Sequence, residues 1–131
     1  MDAERLQQEL ELLRTVYPDL EYCHDEDVHW VRIPRYPVPT GWSCSEVEIA
    51  FRIPDETGQA PYAFFVRPRL HLAAGGTISN YTEVASTPWG SDFAQFSWSP
   101  LEQWLPKAEI RAGANMLNFA RSFADRLADL S

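Results

Sequence analysis

From Glu46 to Ile53 the chain alternates strictly: Val47, Ile49, Phe51 and Ile53 are apolar, and Glu46, Glu48, Ala50 and Arg52 stand between them. A period of two places one set on each face of an extended strand, so this segment must lie in a sheet with one face on a core. Its neighbours read as further strands. Pro54-Asp55-Glu56-Thr57-Gly58 is a cluster of turn formers, and Tyr62–Val66 is a second apolar run ending at Arg67-Pro68-Arg69-Leu70. Upstream, Leu20–Cys23 and Val28–Ile33 flank His24-Asp25-Glu26-Asp27, the pattern of a hairpin. Pro34, Pro37 and Pro39 follow, extended by Gly41 and Ser43–Ser45. Proline cannot donate to a ladder, so they predict a connection rather than a central strand. The middle of the chain is expected to be an antiparallel meander of about four strands.

Helical signals sit at both ends. Leu6, Leu10, Leu13 and Val16 fall at i, i+4, i+7 and i+10, with Glu4, Arg5, Gln8, Glu9 and Glu11 filling the other face. Tyr17-Pro18-Asp19 should stop that helix, because a residue before proline avoids helical backbone angles. Ser99-Pro100-Leu101-Glu102 reads as a helix start, with Ser99 as N-cap and Glu102 as its capping-box partner, ended early by Pro106. The last helix is expected to begin near Asn115, with Met116, Phe119, Ala120, Phe123, Ala124 and Leu127 on its apolar stripe. Between Ala73 and Phe96 no period survives, and Gly75, Gly76, Asn80, Pro88 and Gly90 punctuate a long loop of the kind that carries function. The fold class is α+β in a single domain over 1–131, without internal repeat or linker.

The formal net charge is −8, which repels phosphate backbones and anionic lipid and points away from nucleic acid and membranes. Solubility alone accounts for such a surface, and a basic protein partner is the alternative it leaves open. Met1–Leu20 mixes charge with leucine and has no apolar signal core, and no stretch is long enough to cross a bilayer. A cytoplasmic setting with Cys23 and Cys44 reduced is the expectation. Cys23-His24-Asp25-Glu26-Asp27-Val28-His29 gathers possible metal ligands, but its spacing fits no zinc or calcium pattern, and no metal is expected there. No phosphate loop, dinucleotide fingerprint or nucleophile elbow is present, so no cofactor is expected either.

Several local patterns, in order along the chain, carry a resemblance. They are His29-Trp30 opening the second strand, Phe51-Arg52-Ile53-Pro54 followed by Pro61-Tyr62 and Arg67-Pro68, and Trp98-Ser99-Pro100 stepping into a helix. Together they resemble the ubiquitin-conjugating enzymes: N-terminal helix, four-stranded meander, active-site loop, C-terminal helices. Gln95-Phe96-Ser97-Trp98-Ser99-Pro100, then Trp104, Pro106 and Gly113-Ala114-Asn115-Met116, are similar to the prokaryotic family E of this superfamily. The resemblance implies two partners, a ubiquitin-like protein and a ubiquitin-activating-like enzyme, and a gene setting that also holds a processing peptidase. In the eukaryotic family the outer face of the first helix is basic and docks on the activating enzyme. Here Asp2, Glu4, Glu9 and Glu11 outnumber Arg5 and Arg14, so either an altered interface or a reversed charge pairing is expected.

The resemblance also exposes a gap. The family's cysteine nucleophile lies roughly eight residues before the Trp of Trp-Ser-Pro, and its thiolate accepts the modifier's carboxyl carbon. That count reaches Gly90, and no cysteine follows Cys44. Ile78-Ser79-Asn80 stands where the family has His-Pro-Asn, and only Asn80 matches. Three functions stay open. A hydroxyl could carry the modifier as an oxyester, with Ser91, Ser86, Thr87 or Ser97 as candidates, Asp92 or His71 as base, and Asn80 stabilising the oxyanion. The domain could instead be a non-catalytic scaffold that binds the modifier or the activating enzyme. Or it could be an unrelated α+β domain that holds a small ligand among Trp89, Phe93, Phe96 and Trp98.

Overall fold

The computed structural model describes residues 1–56, 59–99 and 103–131. Helix α1 spans Ala3–Arg14, and Asp2 caps it by accepting a hydrogen bond from the Arg5 amide at 2.7 Å. Six strands follow: β1 Glu21–Asp25, β2 Val28–Pro37, β3 Glu46–Ile53, β4 Phe64–Arg67, β5 Tyr81–Thr87 and β6 Gly90–Phe96. A short 3₁₀ turn at Ile110–Ala112 precedes helix α2, Met116–Ala128. Asn115 and Asn118 cap α2 reciprocally, each side chain accepting from the other's amide.

All six strands form one antiparallel sheet in the order β1-β2-β3-β4-β6-β5. The class is α+β as expected, but three details differ from the sequence reading. First, Ala73–Phe96 is not one long loop: its second half is the β5–β6 hairpin, which extends the sheet past β4. Its alternation is hidden because the register shifts between Thr82 and Ala85 and again between Ala85 and Thr87. Second, β2 runs through Pro34 to Pro37 and absorbs the missing donor where the register shifts between Ile33 and Tyr36. Third, Val16 lies beyond α1 and is exposed. The predicted helix start at Ser99–Glu102 falls largely outside the described residues, and Gln103–Lys107 is irregular.

The core lies between the helices and one sheet face. Phe64 of β4 stacks on Phe119 and on Phe123 of α2, with ring centroids 4.3 Å apart in each pair. Phe51, Ile49, Val66 and Phe96 fill the same layer, and Leu10, Leu12 and Leu13 bring α1 onto it. Each fully buried aromatic contributes roughly 1.5–3 kcal/mol of apolar burial. On the opposite sheet face a smaller cluster holds Trp30, Ala50, Phe65, Ala85 and Phe93. Among the described residues no helix is long and apolar enough to cross a membrane.

Candidate functional site

The residues assigned to a reaction site map onto the β5–β6 hairpin, at its two ends. At the tip, Thr87 Oγ1 accepts a hydrogen bond from the Trp89 amide at 3.1 Å, so this hydroxyl is engaged in shaping the turn. Gly90 follows with φ 149, a backbone angle that side-chain-bearing residues rarely adopt. A Cβ built there would stand 2.7 Å from Arg67 Nη1 and 2.7 Å from Asp92 Oδ1. At the position to which the missing cysteine maps, a side chain would have to displace the ends of two flexible side chains. A guanidinium and a carboxylate take up the space.

Arg67 organises this end. Its Nη1 donates to the Trp89 carbonyl at 3.0 Å and to Asp92 Oδ1 at 2.8 Å, and its Nε donates to Glu48. The guanidinium also sits 4.4 Å from the centre of the Phe93 ring. These contacts belong to a ladder that crosses five strands on the outer face: Glu21 to Arg32 at 3.3 Å, Arg32 to Glu48, Glu48 to Arg67, Arg67 to Asp92. The hydrogen bond from Arg67 holds the Asp92 carboxyl below its ordinary value. A carboxylate held that way is a weak base for the neighbouring Ser91. Ser91 and Ser86 are both exposed, and among the described residues neither hydroxyl is hydrogen-bonded.

Asn80 is at the other end. It takes a left-handed conformation, φ 55, and its carbonyl accepts a hydrogen bond from the Ser97 amide at 2.8 Å. Ser91 and Ser97 are separated by the length of β6, about 20 Å of extended chain. Asn80 is thus beside Ser97 and remote from Ser91, Asp92, Ser86 and Thr87. The turn before Asn80 is tied to α2, because the buried Arg126 donates to the Ser79 carbonyl at 3.0 Å. His71 exchanges two hydrogen bonds with Ser43, which anchor it to the segment after β2.

In the Cys23–His29 stretch, Tyr22, His24 and His29 share one face. His24 stacks on His29 at 4.3 Å, and the Tyr22 hydroxyl lies 2.5 Å from His29 Nδ1. Burial and the adjacent His24 charge push the His29 pKa down. Cys23 packs on the opposite face, against the cluster that includes Trp30.

The charges of α1 also differ from the sequence reading. Arg5 and Glu9 are buried, at 7% and 2% exposure, and are not part of the solvated face. Glu9 Oε1 accepts from the Met116 amide at 3.0 Å, and Arg5 donates to the carbonyls of Lys107 and Ala114. The pair fixes α1 to the start of α2. With Asp2 engaged as a cap, the exposed acids of the helix are Glu4 and Glu11. Glu9 falls at i+4 from Arg5, and that pair spacing was the one available signal for the contact.

No curated protein and no solved structure matches the chain. A sequence model of a known family does match, over residues 6–115, and that span takes in α1 from its fourth residue, the whole sheet and the cap of α2. The chain belongs to the prokaryotic E2 family E.

Proposed function

We propose that this chain acts as a scaffold: it binds a ubiquitin-like protein, or the activating enzyme that carries one, without itself forming a covalent bond. Family membership supplies the coarse part, a ubiquitin-conjugating-like role in a bacterial pathway. The finer part rests on one observation. Where the nucleophile would stand, Gly90 holds a φ that disfavours a side chain, and one placed there would have to displace Arg67 and Asp92, which are hydrogen-bonded to each other. The remaining hydroxyls at that end lack what activates a hydroxyl. Ser91 adjoins a carboxylate already paired to Arg67, Thr87 shapes the turn, and Asn80 is at the far end of the strand.

A second reading has one observation in its favour. Ser97 sits beside Asn80, so a hydroxyl-bearing residue and an amide able to donate to an oxyanion are neighbours. In that reading the Ser97 oxygen attacks the activated carboxyl carbon of the modifier, its proton passes to solvent base, and the activating group leaves.

The test combines the chain with a ubiquitin-like protein and an activating enzyme from the same genome, plus ATP. Gel filtration should show a stable complex, and denaturing electrophoresis should show no adduct. An adduct that survives reductant and yields to hydroxylamine would overturn the scaffold reading. Its loss in Ser97→Ala would establish the second reading. Its loss in Ser91→Ala, Ser86→Ala or Thr87→Ala would return the reaction to the hairpin tip.

A further inference from the structure

The sheet ends on β1 and on β5, and the two edges are differently guarded. β1 is five residues long and carries Glu21, His24 and Asp25, with Glu21 paired to Arg32. Charge and shortness protect such an edge from pairing with another chain. β5 has one charged residue, Glu83, in seven, and Thr82, Glu83, Val84 and Ser86 are exposed. Val84 is 70% exposed, more than any other large apolar side chain among the described residues. The register explains why: between the pairs Thr82–Gln95 and Ala85–Phe93, Glu83 and Val84 together oppose Ala94. Two residues facing one is a bulge, and bulges re-aim side chains.

An edge that presents free backbone groups beside an outward valine can accept one more strand. A second copy of the chain is a poor occupant. Each copy carries a net charge of −8, and antiparallel pairing centred on Val84 would set each Glu83 opposite the other copy's Ala85, with the two carboxylates as diagonal like-charged neighbours. An extended segment that is neutral or basic meets neither objection, and a basic residue in it would face Glu83.

We infer that the outer edge of β5 is a docking strand for an extended, neutral-to-basic segment of a protein partner. Naming that segment as the tail of the ubiquitin-like protein rests on the scaffold reading above; the edge itself does not.

Hydrogen exchange on the full chain tests both levels. The probes are the ubiquitin-like protein, the same protein with its tail removed, and two synthetic decapeptides of alternating threonine and valine. One decapeptide has a central arginine and the other a central glutamate. The intact protein and the arginine peptide should slow exchange at the amides of Tyr81–Thr87, and the truncated protein should not. Glu83→Lys, an exposed change that leaves the fold intact, should weaken the arginine peptide about two- to fivefold and favour the glutamate peptide. If the intact protein binds while β5 exchanges as in the free chain, the inference falls and the scaffold reading stands. If the arginine peptide protects β5 but the intact protein does not bind, the scaffold reading falls and the edge stands. Failure of both probes at β5, or protection of β5 by self-association in sedimentation equilibrium, overturns the inference.

Discussion

Among the described residues two ionic clusters lie on opposite sides of the sheet, and they differ in whether water reaches them. Arg5 and Glu9 are shut between α1 and the start of α2, where their partners among the described residues are each other and backbone groups. The ladder from Glu21 to Asp92 lies on the outer face, and its terminal carboxylates are 54% and 65% exposed. The buried pair has fewer charges but more depends on it. A charge in a dry site has no alternative partner, whereas an exposed one can return to solvent at little cost. The same residue types thus act as a structural fastening in one place and as a solvated surface network in the other.

The largest expected effect comes from breaking the buried pair. Glu9→Ala leaves the Arg5 guanidinium and the Met116 amide without their acceptor, and should cost about 3–5 kcal/mol in chemical denaturation. A cost below about 1 kcal/mol would mean that water enters the α1–α2 junction, and the contrast between the clusters would dissolve.

Gly90→Ala is the next test. It forces a side chain into a backbone conformation that disfavours one, and pushes it against Arg67 and Asp92. Backbone strain of that kind costs about 1–3 kcal/mol. Arg67→Ala should therefore be less harmful in the Gly90→Ala background than in the wild type. Equal costs in both backgrounds would show that Arg67 does not compete for the space at Gly90.

The two clusters should also respond oppositely to pH. Burial raises the pKa of Glu9, although the bond from the Met116 amide and the Arg5 charge draw it back. A raised carboxyl contributes stability that is complete below its unfolded value, near 4.5, and disappears as pH climbs through the folded value. Glu48 goes the other way. Burial pushes it up, but hydrogen bonds from Arg67 and Arg32 outweigh that and hold it low. Its contribution is present above 4.5 and lost as pH falls through the folded value. As pH rises through 4.5, Glu9→Gln should gain on the wild type and Glu48→Gln should lose. Parallel pH–stability curves for the two variants would refute this assignment.

The contrast also explains which parts of the fold could be read from the residues. β3 was legible to its last residue because Glu46–Ile53 alternates without interruption and one face is fully buried. α2 was legible because Asn115 and its apolar stripe agree, although Ala124, expected on that stripe, is exposed. β5 and β6 were not. Two register shifts break their alternation, and Pro88 and Gly90 imitate loop punctuation while forming a tight turn. Asn80 and Gly90 were found by counting along the family's pattern. That Asn80 sits at one end of a strand pair and Ser91 at the other depends on a hairpin the pattern did not announce. Arg67 was missed for a related reason. Its partners Glu48, Trp89 and Asp92 are distant in sequence and meet only through the β3–β4–β6 pairing.

The smallest effect is expected at Asp92, and it isolates what the ladder does. Asp92 is exposed, and its bond to Arg67 competes with water on every side. Arg67 keeps Glu48 and the Trp89 carbonyl when Asp92 is neutralised. Asp92→Asn should therefore melt within the scatter of the wild type, and raising the salt concentration to about 1 M should make the two indistinguishable. If the variant instead unfolds well below the wild type, and salt does not close the gap, the hairpin tip is shielded from solvent. The outer ladder would then be a second fastening comparable to the Arg5–Glu9 pair. In that case Arg67 could not be released from Gly90 without unfolding the hairpin, and the space at Gly90 would be closed to any nucleophile the fold could carry.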